Sequence, residues 1–135
     1  MLHADGRDRD ERWERTQRAF DAIVAVPMSR AKERRRGYNQ AELLARAVAR
    51  RLDVKCERAL LTKRAETPAQ SKLARAARAA NVRHAFTASP RARGLSILIV
   101  DDVSTTGETI RACASELLRG GVARVCAAVV AKTEG

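Results

Sequence analysis

The feature that most constrains the fold lies near the C-terminal end. Leu95 to Val100 (LSILIV) is an aliphatic run of the kind found in a strand buried on both faces, as in a parallel sheet. A polar loop, DDVSTTG, follows it, and the spacing predicts a helix from about Glu108 to Arg119. Ile110, Cys113, Ala114, Leu117 and Leu118 recur at i, i+3, i+4, i+7 and i+8, which predicts one buried face. Gly120 and Gly121 supply the C-cap, and Val125 to Ala131 reads as the next strand. Strand, helix and strand in this order form a βαβ unit with a right-handed crossover, so the chain is α/β with a mainly parallel sheet flanked by helices.

In open α/β sheets ligands bind beyond the carboxyl ends of the strands. Here that place holds Asp101, Asp102, Val103, Ser104, Thr105, Thr106 and Gly107, just before a helix. Unpaired backbone N–H groups at the helix start suit a phosphate, Gly107 lets the backbone come close to it, and the hydroxyls of Ser104, Thr105, Thr106 and Thr109 add donors. The two carboxylates repel a phosphate but accept hydrogen bonds from sugar hydroxyls or help to hold a divalent cation. A sugar 5′-phosphate satisfies both halves. Two other families with an acidic pair after a strand fail on the sequence. No aspartate follows Asp102 to serve as the phospho-acceptor of a receiver domain, and Gly6, Gly37 and Gly94 lack the spacing of the phosphate loop that a Walker B strand requires.

The rest of the chain is less regular. Asp8 to Phe20 reads as a short, highly charged helix, an N-terminal extension over residues 1–20, with Trp13, Gln17 and Phe20 on one face. Ala22 to Val26 is a buried strand stopped by Pro27. SRAKERRRG, with five basic residues between Arg30 and Arg36, suggests no structure of its own. Asn39 can cap a helix with Glu42 at its third position, and Ala41, Leu44, Ala45, Val48 and Leu52 then keep helical spacing. Val54 to Leu61 and Val82 to Thr87 read as strands, and Ser89 to Gly94 as a turn. Between them Thr62 to Asn81 is a long polar connector containing a short Ala/Arg-rich helical stretch, Ser71 to Ala80, and connectors of this length are usually lids or disordered.

A chain of 135 residues suffices for one ordinary domain, and its core must be aliphatic because aromatics make up only 3%. Cys56, Cys113 and Cys126 form no close pair, which excludes a zinc ribbon made by this chain alone and any disulfide framework. The longest uncharged stretch is Ala22 to Ser29, too short to cross a membrane, and the N-terminus has no apolar signal core, so the expected compartment is the cytoplasm, with no membrane insertion. The net charge of +11 is uneven: from Leu95 onward four basic residues face five acidic ones, so residues 1–94 carry +12. A surface this basic calls for an anionic partner, whether nucleic acid, a phosphorylated small molecule or an acidic membrane face.

ILIVDDVSTTGETI resembles the 5-phosphoribosyl-1-diphosphate (PRPP) signature of type I phosphoribosyltransferases. More narrowly, AVPMSR, RRRGYNQAELLA, RAETPAQ and RAANVRHAF resemble, in order, the motifs of the ComF/GntX group, so the match runs from about Asp21 to Ala131. The resemblance implies a type I phosphoribosyltransferase fold over residues 21–135 with a flexible hood at about 62–81. It implies that Asp101 and Asp102 are the catalytic pair holding the ribose hydroxyls, and that Val103, Ser104, Thr105, Thr106, Gly107 and Thr109 hold the 5′-phosphate. Pro27, Met28, Ser29 and Arg30, after Val26, would form the pyrophosphate loop, and Lys63, Arg64 and Gln70 would belong to the hood. Mg²⁺ would arrive with PRPP and touch the protein, if anywhere, at Asp101 and Asp102. The implied reaction is transfer of phosphoribose to an unknown acceptor by displacement at C1. The ComF resemblance also implies a non-catalytic alternative, a role in DNA uptake during natural transformation with single-stranded DNA and a competence helicase as partners, and it admits a homodimer. The sequence departs from the pattern in three ways: the group's usual four-cysteine zinc ribbon has no counterpart in these residues, Glu108 stands where the signature has a small residue, and no nucleobase pocket is recognisable. His84 reads as a structural histidine.

Overall fold

The computed structural model describes residues 19–64, 85–104 and 107–132. In chain order the elements are β1 (Ala22–Ala25), α1 (Arg30–Arg36), α2 (Gln40–Leu52), β2 (Lys55–Cys56), β3 (Leu61–Lys63), β4 (Phe86–Ala88), β5 (Ser96–Ser104), α3 (Glu108–Arg119) and β6 (Arg124–Lys132). Four strands form a parallel sheet in the order β2-β1-β5-β6, with Ala22 opposite Ile97 and Ile97 opposite Val125. β3 and β4 form a separate antiparallel pair, with Thr62 opposite Thr87.

The pleat sorts the aliphatic strands into two cores. Ala22, Val24, Ile97 and Ile99 pack with Cys113 and Leu117 of α3, joined by Leu60, Leu61 and Phe86. Ile23, Leu98 and Val100 pack with Ala45, Ala49 and Leu52 of α2. β1 and the Ile97–Val100 stretch of β5 are thus covered on both faces, as their unbroken apolar sequences require. The two glycines after α3 divide the closing turn: Gly120 caps the helix with ordinary right-handed backbone, and Gly121, at φ +95°, turns the chain toward β6.

Several expectations are corrected. The basic run 30–36 is a helix, because Ser29 caps it by accepting from the Lys32 N–H and Gly37, at φ +84°, ends it. Residues 54–61 make two short strands separated by a 3₁₀ turn at Arg58–Leu60 instead of one strand. Of the stretch expected as the later strand, Phe86 and Thr87 lie in β4 and Ala85 precedes it, while residues 82–84 lie outside the described residues. Ser89–Gly94 is a turn as expected, built on a 3₁₀ helix at Pro90–Ala92. On α3, Leu118 is 52% exposed while Ala112, Cys113, Glu116 and Leu117 are buried. The helix meets both β6 and β4, which moves its covered face by one residue position, and Glu116 accepts that burial because Arg119 donates two guanidinium nitrogens to its carboxylate. The helical readings of 8–18 and 71–80, with Trp13, Gln17 and His84, lie outside the described residues. Among the described residues no helix is long and apolar enough to cross a membrane.

Candidate functional site

The acidic pair does not sit in a loop. β5 runs on through Ser104 and stays in register with β6, with Asp101 opposite Val129 and Ser104 opposite Lys132. Because alternate residues face opposite ways, Asp101 continues the Ile97–Ile99 face toward α3 and Asp102 continues the Leu98–Val100 face toward α2. Both are half-buried, and Asp101 Oδ1 accepts a hydrogen bond from the Asp102 N–H at 2.9 Å. Burial, first, and then the neighbouring Asp102 side chain push the Asp101 carboxyl up from 3.8 to about 6. Under it, burial and then the charge of Asp101 push the Cys113 thiol up to about 12, against an opposing pull from Lys63.

The two carboxylates open into a cavity of about 240 Å³. Its walls bring together Asp101, Asp102 and Thr109 with Val26, Pro27 and Met28 after β1, and with Lys32, Arg36 and Lys63. Three cationic side chains thus face two acids, which suits a ligand carrying both hydroxyls and a strong negative charge. A larger cleft of about 650 Å³ adjoins it, shares Pro27, Met28, Asn39 and Lys63, and extends toward Arg34, Arg58 and Glu42. The acids line only the smaller cavity, so that is where the chemistry expected of them belongs.

Asn39 holds the frame. Its Nδ2 donates to the Val26 carbonyl at 3.3 Å and its Oδ1 accepts from the Ala41 N–H at 3.1 Å, so one buried amide ties the loop after β1 to the start of α2. Glu42 does not close a capping box. Its carboxylate lies 3.1 Å from Arg46 and 3.1 Å from Arg58, and Arg58 also pairs with Glu33 of α1. That network braces α1 against α2 and the 3₁₀ turn. β3 and β4 are pinned at the far end, where the Arg64 N–H donates to the Ala85 carbonyl at 2.7 Å and its Nε to Thr87 Oγ1 at 2.8 Å.

Of the residues expected to act here, Pro27, Met28, Lys63, Asp101, Asp102 and Thr109 meet at one cavity. Ser29 does not line it: its hydroxyl caps α1. Arg30 begins α1. Arg64 is engaged with the β4 strand. Val103 and Ser104 continue β5, correcting their expected place in a loop. Gly107, at φ +77°, precedes α3, and the Arg111 guanidinium lies 3.4 Å from where a Cβ on Gly107 would stand. Thr105, Thr106 and Gln70 lie outside the described residues. The sequence reading missed Lys32 and Arg36 as cavity residues. Their i, i+4 spacing was the available signal, hidden because the run carried no apolar period. Glu108 is exposed in the first turn of α3 and is not among the cavity walls.

A Phosphoribosyl transferase domain matches residues 39–134, from the Asn39 cap through the acidic pair to the end of β6. The chain belongs to the phosphoribosyl transferase domain family. It is 38% identical over 105 residues to the DNA utilization protein YhgH of Salmonella typhi, covering 78% of this chain and 46% of that protein. It is 32% identical over 108 residues to Competence protein F of Haemophilus influenzae, covering 78% of this chain and 47% of that one. These relatives bear out the ComF resemblance, and the chain spans about half their length. Among solved structures it is similar to the purine phosphoribosyltransferase of Pyrococcus horikoshii, with a TM-score of 0.54 and 16% identity over 93% of this chain and 71% of that one. This likeness shows the type I phosphoribosyltransferase fold.

Proposed function

We propose that this phosphoribosyl transferase domain binds PRPP, or a related phosphoribosyl compound, and transfers phosphoribose to an acceptor. The observation that carries the reading is the meeting of Asp101 and Asp102 with the loop after β1, Thr109 and three cationic side chains in one cavity at the carboxyl ends of parallel strands. Asp101 and Asp102 would accept hydrogen bonds from the ribose 2′- and 3′-hydroxyls. Residues 103–107 and Thr109 would receive the 5′-phosphate at the start of α3. Lys32, Arg36 and Lys63 would face the diphosphate.

The reaction breaks the bond between C1 and the diphosphate oxygen and forms one from C1 to the acceptor, the leaving group taking the electron pair. The protein's share is to align the reactants and to neutralise charge as it gathers on the departing oxygens. Two adjacent carboxylates with room beside them fit Mg²⁺, which commonly takes one or two protein carboxylates and completes its shell with phosphate oxygens and water. When bound, the ion would draw charge from the diphosphate as a Lewis acid. Asp101 would hold a cation only as the carboxylate, and its raised value makes that form dominant only above about pH 6.

Calorimetry with PRPP and Mg²⁺ tests the reading. Binding is expected to the native chain and not to the Asp101→Asn/Asp102→Asn variant; if the native chain takes up neither PRPP nor ribose 5-phosphate, the reading falls.

A second reading, a part in DNA uptake, draws on the names of the relatives and on the charge of the first two helices. Lys32, Arg34, Arg35 and Arg36 of α1 and Arg46, Arg50 and Arg51 of α2 are all exposed. Contacts of such residues with phosphates weaken steeply with salt. Unchanged retention of single-stranded DNA at low salt after Arg34→Glu/Arg35→Glu/Arg36→Glu would count against it.

A further inference from the structure

The cleft of about 650 Å³ beside the acidic cavity has no occupant in the phosphoribosyl reading, and its size suits a small organic ligand. The two spaces share Pro27, Met28, Asn39 and Lys63, so a molecule lying in the cleft abuts a sugar held at Asp101 and Asp102. The reactant still to be placed is the acceptor of the phosphoribosyl group, and the cleft walls restrict what it can be. Ring stacking is not on offer, because no aromatic side chain is among the walls described; Tyr38 is exposed and is not one of them. The Asn39 amide is engaged at both ends, with the Val26 carbonyl and the Ala41 N–H. Recognition therefore falls to charge.

The charged walls of the cleft are Glu33, Arg34, Glu42, Arg58 and Lys63. Its acids are answered from within. Arg58 pairs with Glu33 through one terminal nitrogen and with Glu42, at 3.1 Å, through the other, and Arg46 adds a second cation to Glu42 at 3.1 Å. Two carboxylates and two guanidiniums thus close on one another. Arg34 and Lys63 are left over, and no acid among the described residues pairs with either. Lys63 also borders the acidic cavity, whereas Arg34 lines the cleft alone. Helical spacing explains the division. Lys32 and Arg36, one turn apart, share a face of α1 and line the smaller cavity, while Arg34, two residues from each, stands on another face. A phosphate is better matched by the three cations of the smaller cavity. A single guanidinium fits the single charge and planar fork of a carboxylate.

We propose, resting on the phosphoribosyl reading, that this cleft takes the acceptor, that the acceptor is a small nucleophile bearing a carboxylate, and that Arg34 is the residue that selects it. The acceptor's lone pair forms the bond to C1 as the bond from C1 to the diphosphate oxygen breaks. The diphosphate leaves with that electron pair, and a nucleophile that began with an N–H gives its proton to water. Calorimetry on the full chain, loaded with ribose 5-phosphate and Mg²⁺, tests this with two matched pairs, nicotinate against nicotinamide and orotate against uracil. The carboxylate of at least one pair should bind about tenfold more tightly than its neutral counterpart, as expected of charge-assisted hydrogen bonds. Arg34→Gln should erase that preference and Arg34→Lys should restore part of it. Arg35→Gln removes one charge from the same helix at a residue that lines neither space, and should leave the preference unchanged. These substitutions fall on exposed side chains, and uptake of ribose 5-phosphate shows that each variant is folded. Carboxylates held no more tightly than their neutral counterparts by a chain that takes up ribose 5-phosphate would overturn the proposal, as would a preference that survives Arg34→Gln. A native chain that takes up neither PRPP nor ribose 5-phosphate would instead sink the phosphoribosyl reading, and this proposal with it.

Discussion

Replacing Asp101 by asparagine should make the protein more stable while removing its ligand binding. Asp101 is an acid whose value in the folded chain, about 6, stands above the ordinary 3.8. The folded state therefore favours its neutral form. Below pH 3.8 the side chain is neutral whether the chain is folded or not, and it costs nothing; between 3.8 and about 6 the cost grows, and above 6 it is fully present. A tenfold change in acidity corresponds to about 1.4 kcal/mol, so the displacement carries at most about 3 kcal/mol. Asp101 is half-exposed at a cavity mouth, and solvent screening reduces this to about 1–2 kcal/mol. Asparagine keeps the Oδ1 acceptor for the Asp102 N–H and discards the charge. Thermal unfolding followed by circular dichroism at pH 8 should show Tm raised by roughly 3–8 °C in Asp101→Asn. At pH 3.5 the two proteins should melt together. A variant less stable than the native chain at pH 8, or one with the same gain at both pH values, would refute the argument that a partly desolvated charge is held within β5.

The same titration should appear in binding: affinity for ribose 5-phosphate with Mg²⁺, measured by calorimetry in buffers of differing ionisation heat, should rise with pH up to about 6 and then level off, with uptake of ligand releasing a proton below that point. Asn39→Ala removes a helix cap and the buried tie to the Val26 carbonyl, and should cost about 1–2 kcal/mol in urea unfolding, with no change in the slope. Gly107→Ala puts a side chain at φ +77° and brings a Cβ to 3.4 Å from the Arg111 guanidinium. It should cost about 1–2 kcal/mol of stability and weaken ligand binding by more than that loss explains.

Much of the domain could be read residue by residue. LSILIV specified a strand buried on both faces because the four successive apolar residues from Ile97 to Val100 tolerate no exposed side, and the period from Ile110 to Leu117 specified the helix that covers it. The acidic pair marked the candidate site, since fold stability offers no reason to set two like charges directly after a buried aliphatic run. Other parts were illegible for a physical reason. α1 has no apolar face, so no period betrays it. Its helix depends on the Ser29 cap, the Gly37 terminator and the bond that Arg58, 25 positions away, donates to Glu33. Leu118 was misjudged because periodicity fixes the spacing of a face but not the direction in which its neighbours lie.

What the sequence determined by itself, then, is the alternation of strand and helix and the placing of two acids and a run of hydroxyl side chains between a strand and a helix at residues 101–109, both written in stretches shorter than twenty residues. Only the tertiary structure decided that the acids ride on β5 instead of the loop after it, that Lys32, Arg36 and Lys63 share their cavity, and that Glu42 spends its charge on bracing α1 instead of capping α2. Local patterns record which way a side chain points from its own backbone. Which charges meet depends on how the sheet stacks distant segments side by side, and burial then sets the strength of those meetings, as the displaced acidity of Asp101 shows.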